Sequence, residues 1–206
     1  MARLFLVRHG ETTYGAQSRY SGQSDTPLTP RGEEQHLRLR DLLHGEKIDH
    51  VVSSDLTRCR LLADLVAADH GLSATMDARL REASFGQWEG LTYEEARTRD
   101  HAAMTAFNRA PADAAPPDGE SLVHVVERAR PFFDGLVKEH KEREGALLVV
   151  GHAGLLRGLL CSLLMIPLER YWTLNVDNAA LTTLDIYRMG AIVQTLNDVH
   201  HLRDLP

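Results

Sequence analysis

Three stretches of the 206-residue chain place groups able to handle a phosphate directly after runs of apolar residues. Leu4-Phe5-Leu6-Val7 leads into Arg8-His9-Gly10-Glu11. His50-Val51-Val52 leads into Ser53 and Ser54, with Arg58 about one helical turn further along. Leu147-Leu148-Val149-Val150 leads into Gly151-His152-Ala153-Gly154. Each group alone has an ordinary reading: a hydrogen-bonded structural histidine, a solvated arginine, a tight turn needing small residues. If the three apolar runs are neighbouring parallel strands, however, two histidines and two arginines meet at one edge of a sheet.

Such a set suits transfer of a phosphoryl group, whose charge is spread over three equatorial oxygens and must be neutralised and held in line. Arg8 and Arg58 are permanently charged and offer planar forks to phosphate oxygens. A neutral imidazole can attack phosphorus through one ring nitrogen while a hydrogen bond holds the other, and His9 fits that role. His152 fits a second donor that acts as charge builds up. Backbone N–H groups at Gly10 and at the helix start Ala153-Gly154 can approach an anion. The leaving alkoxide needs a proton. Glu82 is a candidate because it precedes an apolar segment that would partly desolvate it beside a phosphate; a salt bridge to Arg79 or Arg81 is the competing reading.

The elements that must position these residues can be read from the same sequence. Residues 4–7, 50–54 and 146–151 are short, apolar and partly β-branched, as strands covered on both faces are. Helical patterns alternate with them. One runs from a Thr29 cap before Pro30 to Gly45, one from Ser54 or Asp55 to Gly71, and one from an Asp118 cap to Gly145 with Pro131 as a kink point. Another comes after the third strand. Residues 178–188 and 191–198, joined by Met189-Gly190, read as a hairpin. Alternating strands and helices predict a mainly parallel sheet with helices on both faces, in a single domain spanning 1–206. The stretch at about 83–117 breaks the rhythm and reads as an insertion over one edge, held by Phe85, Trp88, Tyr93 and Phe107.

Composition narrows the function. At 43% hydrophobic and 25% charged, the chain has a globular composition, and a net charge of −6 argues against a nucleic-acid binder. The sequence contains neither a secretory segment nor an apolar run long enough to cross a bilayer, so the cytoplasm is the expected compartment and no membrane partner is expected. Cys59 and Cys161 suggest no disulfide framework. Neither cysteine is followed six residues later by Arg, and there is no aspartate-initiated or Walker-type phosphate motif. Asp198, His200 and His201 read as a solvated tail and not as metal ligands.

The chain resembles the histidine phosphatase superfamily, which includes cofactor-dependent phosphoglycerate mutases. The resemblance is carried by Leu6–Thr12, Tyr20–Gln35, Ser53–Cys59, Leu80–Gly90, Pro116–Ser121 and Val149–Arg157. It implies a three-layer α/β/α sandwich, its mainly parallel sheet having an antiparallel edge strand. It implies His9 as the phosphorylated nucleophile, Glu82 as the proton donor, and Arg8, Arg58 and His152 around the phosphate. Ser21, Gly22 and Gln23 would lie beside the substrate, with no metal and no cofactor. Tyr14-Gly15 stands where many members have an Asn that contacts phosphate. Gly154 replaces the Asn that tends to follow the second histidine in mutases. The segment Arg81–Gly90 looks like the phosphatase branch, among which α-ribazole and broad-specificity phosphatases look closest. The expectation is a metal-independent phosphomonoesterase acting on a small phosphorylated metabolite through a phosphohistidine. A phosphoglycerate mutase and a non-catalytic phosphate-binding module are the alternatives, and a homodimer is compatible with the chain.

Overall fold

The structure is a computed structural model and describes residues 1–205. In chain order its elements are β1 (Ala2–Arg8), α1 (Thr13–Ala16), α2 (Pro30–Leu43), β2 (His50–Ser53), α3 (Thr57–Asp69) and β3 (Thr75–Met76). Then come α4 (Tyr93–Arg99), α5 (His101–Arg109), α6 (Leu122–Arg143), β4 (Ala146–Gly151), α7 (Ala153–Leu164), β5 (Leu181–Tyr187) and β6 (Gly190–Asp198).

Alternation along the central strands explains the layers. Leu4, Leu6, Leu147 and Val149 point to one face and pack with α6 and α7. Phe5, Val7, Leu148 and Val150 point to the other and pack with α2 and α3. A strand apolar on both faces is stable only between two covering layers, so a three-layer sandwich results. The sheet order is β3-β2-β4-β1-β5-β6. The first four strands are parallel, while β5 runs antiparallel to β1, and β6 to β5. The antiparallel pairing expected at one edge is thus the β5–β6 hairpin, turning at Met189-Gly190 as its sequence predicts.

Register brings the strand ends together. Arg8 pairs with Gly151, and Ser53 with Val150. The ladder continues one step further, His9 N–H donating to Gly151 O and Ser54 N–H to Val150 O, each at 3.1 Å. The three stretches that carry the candidate chemistry therefore end side by side.

Several local expectations shift. Helix α3 begins at Thr57, without the Ser54 or Asp55 cap. Ser54 faces His152, and Asp55 is held by Arg81 at 2.7 Å, so Asp25 receives the Thr57 N–H instead, at 2.9 Å. Helix α6 starts after Ser121, whose hydroxyl accepts from His124 N–H, while Asp118 sits in a left-handed turn. It runs through Pro131 to Arg143. β3 is two residues long, too short for a sequence signal. Within 83–117, Trp88, Ala96 and Met104 are buried against Tyr20, Phe85 and Phe107, but Tyr93 is exposed.

The turn after β1 lies hard against α2. A Cβ at Gly32 would fall 2.1 Å from Glu11 O, a backbone atom that cannot swing away, whereas one at Gly45 meets nothing within 4 Å. Gly32→Ala should therefore cost about 1–3 kcal/mol in urea unfolding, in the range of overpacked cores. Gly45→Ala should be close to neutral, and equal losses in the two variants would contradict this reading.

Candidate active site

The rings of His9 and His152 face each other edge to face, 5.1 Å between centroids, at the carboxyl ends of β1 and β4. Both are buried. The Nδ1 of His9 lies 2.6 Å from Gly10 O. A carbonyl oxygen can only accept, so Nδ1 carries the proton and Nε2 keeps its lone pair. Burial first, then the charges of Arg58 and Arg8, hold the His9 pKa well below its ordinary value. The ring is a neutral nucleophile of defined tautomer.

The turn that fixes this geometry is itself held by a second buried histidine. Gly10 N–H donates to His36 Nε2 at 2.9 Å, and Glu11 N–H to Gln35 Oε1 at 2.8 Å. His36 must therefore be neutral, in agreement with a pKa lowered by burial to about 4.

His152 has Ser54 Oγ at 2.9 Å from Nε2 and Arg58 Nη2 at 3.3 Å from Nδ1. The guanidinium can only donate, so Nδ1 accepts from Arg58 and Nε2 donates to Ser54 Oγ; because the hydroxyl can also donate, the ring can carry its proton on Nδ1 instead once Arg58 turns to an anion. Burial, then Arg58 and His9, lowers the His152 pKa as well. Cys59 sits beneath the ring as a thiol pushed up by burial, 3.4 Å from Gly151 O.

Arg58 is 1% exposed, yet it has no carboxylate partner among the described residues. Its fork donates to Ser24 O at 2.8 Å and to Gly22 O. Arg8 donates to Val176 O at 2.8 Å. The Nε of each arginine is buried without a hydrogen-bond partner among the described residues. Desolvation lowers the Arg8 pKa, the penalty of a buried cation. One buried and one half-buried cation, each with an orphaned Nε donor, call for an anion between them.

Glu82 is buried and makes neither of the salt bridges considered for it. Arg79 pairs with Asp77 and Arg81 with Asp55. Its carboxylate instead sits at the start of α7. Oε1 accepts from Ala83 N–H at 3.0 Å and Leu155 N–H at 3.2 Å, and Oε2 from Gly154 N–H at 2.9 Å. Oε2, with one bond, has room for a proton. A Cβ at Gly154 would lie 2.5 Å from Oε1, so this approach needs glycine. The Ala153 N–H is left as the first-turn amide of α7 without a partner among the described residues.

Ser21, Gly22 and Gln23 lie in a loop over the arginine, with Ser21 Oγ 3.2 Å from Thr26 Oγ1. The residue that shapes this loop is one that sequence reasoning does not single out. Glu89 accepts N–H bonds from Gly22, Gln23, Ser24 and Phe85 at 2.9–3.2 Å. Burial alone would raise its pKa, but these bonds outweigh it and hold the carboxylate below its usual range. Glu120 and Arg128 brace the other side: Arg128 donates to Glu120 and to the carbonyls of Arg79, Arg81 and Glu82. Tyr14 turns away to Gly90, where a Cβ would meet its hydroxyl at 3.2 Å.

From Glu82, Ala153 and Gly154 a cavity of about 270 Å³ opens outward, lined by Tyr20, Phe85, Phe107, Leu122, Arg157 and Tyr171 among others. The site can thus hold a tetrahedral anion against a neutral imidazole, with a carboxyl group and an aromatic-walled space beside it. Near the end of the chain, Asp198 pairs with His200 at 2.8 Å, and no cluster of three metal-ligating side chains occurs among the described residues.

Comparison with known proteins gives a consistent result. Residues 4–199 match the profile of the histidine phosphatase superfamily (branch 1). The adenosylcobalamin/α-ribazole phosphatase of Escherichia coli K12 is 35% identical over 196 residues, covering 95% of each chain. The "Probable phosphoglycerate mutase GpmB" of Erwinia tasmaniensis is 31% identical over 209 residues, covering 99% of this chain and 96% of its own. The crystal structure of the α-ribazole phosphatase from Shigella flexneri superposes with a TM-score of 0.88 at 33% identity, covering 95% of this chain and 96% of that one.

The His36 contact makes stability depend on pH. Its folded pKa of about 4 lies below the ordinary 6.5 of an unfolded chain. Its contribution is therefore complete above pH 6.5 and is lost as pH falls toward 4, by roughly 3 kcal/mol at most. Urea unfolding between pH 7 and 5 should show this slope. His36→Gln, which can still accept from Gly10, should make it shallower, while His9 and His152, whose pKa values are also held down, keep the rest; an unchanged slope would count against a neutral His36.

Proposed function

Because the chain belongs to the histidine phosphatase superfamily and is a histidine-type phosphatase, we propose that it hydrolyses the phosphate ester of a small metabolite through a phosphohistidine at His9, without a metal. The observation that carries this reading is the His9 ring: neutral, proton fixed on Nδ1, Nε2 free, and flanked by buried Arg58 and half-buried Arg8, neither with a carboxylate partner among the described residues.

In the proposed reaction Nε2 of His9 attacks phosphorus in line as the P–O bond to the alcohol breaks. Arg8, Arg58, His152 and the N–H of Ala153 spread the charge of the equatorial oxygens, the Gly10 N–H being taken by His36. Glu82 gives its Oε2 proton to the leaving oxygen. Water then attacks the phosphohistidine and returns a proton to Glu82, restoring His9 and releasing phosphate. The loop Ser21–Gln23, held by Glu89 and Arg58, closes over the phosphate. The two arginines supply the positive charge a metal would otherwise bring.

A mutase reading is supported by the similarity to relatives named probable phosphoglycerate mutase GpmB, the Erwinia protein among them. The glycine at 154, which the Glu82 carboxylate presses against, favours the phosphatase branch. The experiment is turnover of a panel of monoesters with chelator present. Phosphate should be released from p-nitrophenyl phosphate at an unchanged rate. Glu82→Gln should slow alkyl esters by roughly 10²–10⁴-fold, and p-nitrophenyl phosphate less, because its leaving group scarcely needs a proton. Equal losses would reassign the acid. Faster accumulation of 2-phosphoglycerate than of phosphate, from 3-phosphoglycerate with bisphosphoglycerate, would establish a mutase.

A further inference from the structure

Glu89 and Arg58 form no ion pair, yet they hold the same piece of backbone from opposite sides. Glu89 Oε1 accepts from Gln23 N–H at 2.9 Å, and Oε2 from Gly22 N–H at 3.1 Å and Ser24 N–H at 3.2 Å. Arg58 donates through Nη2 to Gly22 O and through Nη1 to Ser24 O, the latter at 2.8 Å. Gly22 C=O and Gln23 N–H belong to one planar peptide unit, and in a trans unit they point in opposite directions. That unit is clamped with a carboxylate at its N–H end and a guanidinium at its C=O end, both matching its dipole of about 3.5 D. The clamp has no slack: a Cβ at Gly22 would lie 2.3 Å from Glu89 Oε1 and 2.2 Å from Ala83 O. The other carboxylates nearby are engaged elsewhere, Glu82 with the amides of α7 and Glu120 with Arg128. Two carbonyls fixed in space set the plane of the Arg58 guanidinium. With it they set the direction of the orphaned Nε–H and of the Nη2 that lies 3.3 Å from His152 Nδ1.

We infer that Glu89 is a positioning residue for the phosphate-binding arginine: its charge, acting through the peptide unit of Gly22 and Gln23, sets the direction of the Arg58 fork. The carboxylate itself does not reach the substrate. It draws the N–H groups of the loop to itself and so turns two carbonyls toward Arg58. The arginine gains partners of negative character without losing its charge to an ion pair. A carboxylate in direct contact would compete with the phosphate, whereas a neutral carbonyl holds the guanidinium more weakly than an anion does. The inference rests on the proposed seating of the ester phosphate between Arg8 and Arg58.

The test is a double-mutant cycle read by calorimetric binding of inorganic phosphate, which needs no turnover. Glu89→Gln keeps the shape but removes the charge and turns an N–H₂ group toward backbone N–H donors. It should weaken phosphate binding by about 10- to 100-fold, the scale of charge-assisted hydrogen bonds. In an Arg58→Lys protein the ammonium lacks the fork that spans both carbonyls. There Glu89→Gln should cost less than about threefold, because coupled residues give non-additive losses. Equal weakening in both Arg58 backgrounds, or an unchanged phosphate affinity in Glu89→Gln, would overturn the inference. In turnover, Glu89→Gln should slow alkyl and p-nitrophenyl esters by the same factor, since it acts on the phosphate and not on the leaving oxygen. A loss confined to alkyl esters would overturn the role by assigning Glu89 to the leaving group. Glu89→Asp, with the charge kept and the reach shortened, should lose affinity with the same dependence on Arg58 and serves the cycle if the amide does not fold. Absence of phosphate release from every monoester, with the binding cycle as expected, would reject the phosphatase reading and support Glu89 in this role.

Discussion

The hydrogen bond from His9 Nδ1 to the carbonyl of its own neighbour, Gly10, is the constraint around which the rest of the site is arranged. It decides which nitrogen holds the proton, and so which nitrogen can act. For Gly10 O to sit there, the backbone must turn sharply after β1. A Cβ at Gly10 would meet Gly32 O at 2.5 Å and the His36 ring at 2.9 Å, so residue 10 has room for nothing larger than glycine. The Gly10 N–H is consumed by neutral His36 and the His9 carbonyl by Ala179 and Asn178. The polar backbone groups of the turn are thus taken up by different elements, which locks the ring in place.

The electrostatics arise from the same crowding. Two guanidiniums that touch no carboxylate among the described residues make the centre of the site strongly positive in a chain whose net charge is −6. A protonated imidazole would add to that repulsion, so both histidines stay neutral and an anion is the natural occupant. The carboxylates are kept at the margin. Glu82 is occupied with the amides of α7 and Glu89 with those of the 22–24 loop, so neither forms an ion pair with Arg8 or Arg58. Negative charge is used here to hold backbone in position, and positive charge is left for the ligand.

What can be read in the sequence is what depends on alternation and on abrupt changes of residue type. Strands β1, β2 and β4, the Thr29 cap and the hairpin turn at Met189-Gly190 announce themselves locally. So does the convergence of Arg8, Arg58, His9 and His152, because parallel strands bring their carboxyl ends together. Ser54 is visible at the strand end, but its bond to His152 is not. Glu89, Asp25 and the Glu120–Arg128 pair escape notice because each acts across 30 or more residues on backbone N–H or C=O groups, which carry no sequence signal at all. The same reason misplaces the starts of α3 and α6: local Ser and Asp side chains look like caps but are engaged elsewhere or lie one turn too early. The four backbone bonds of Glu89 are visible only once the loop is folded.

The measurement that bears most directly on this account is the position of phosphorus on the trapped enzyme. Protein with ¹⁵N-labelled histidine, mixed briefly with a monoester and quenched in alkali, should show phosphorus coupled to Nε2 of His9, with Nδ1 unmodified. Phosphorus on Nδ1 of His9, or on any other residue, would contradict the assignment of the Gly10 hydrogen bond as the feature that selects the nucleophile.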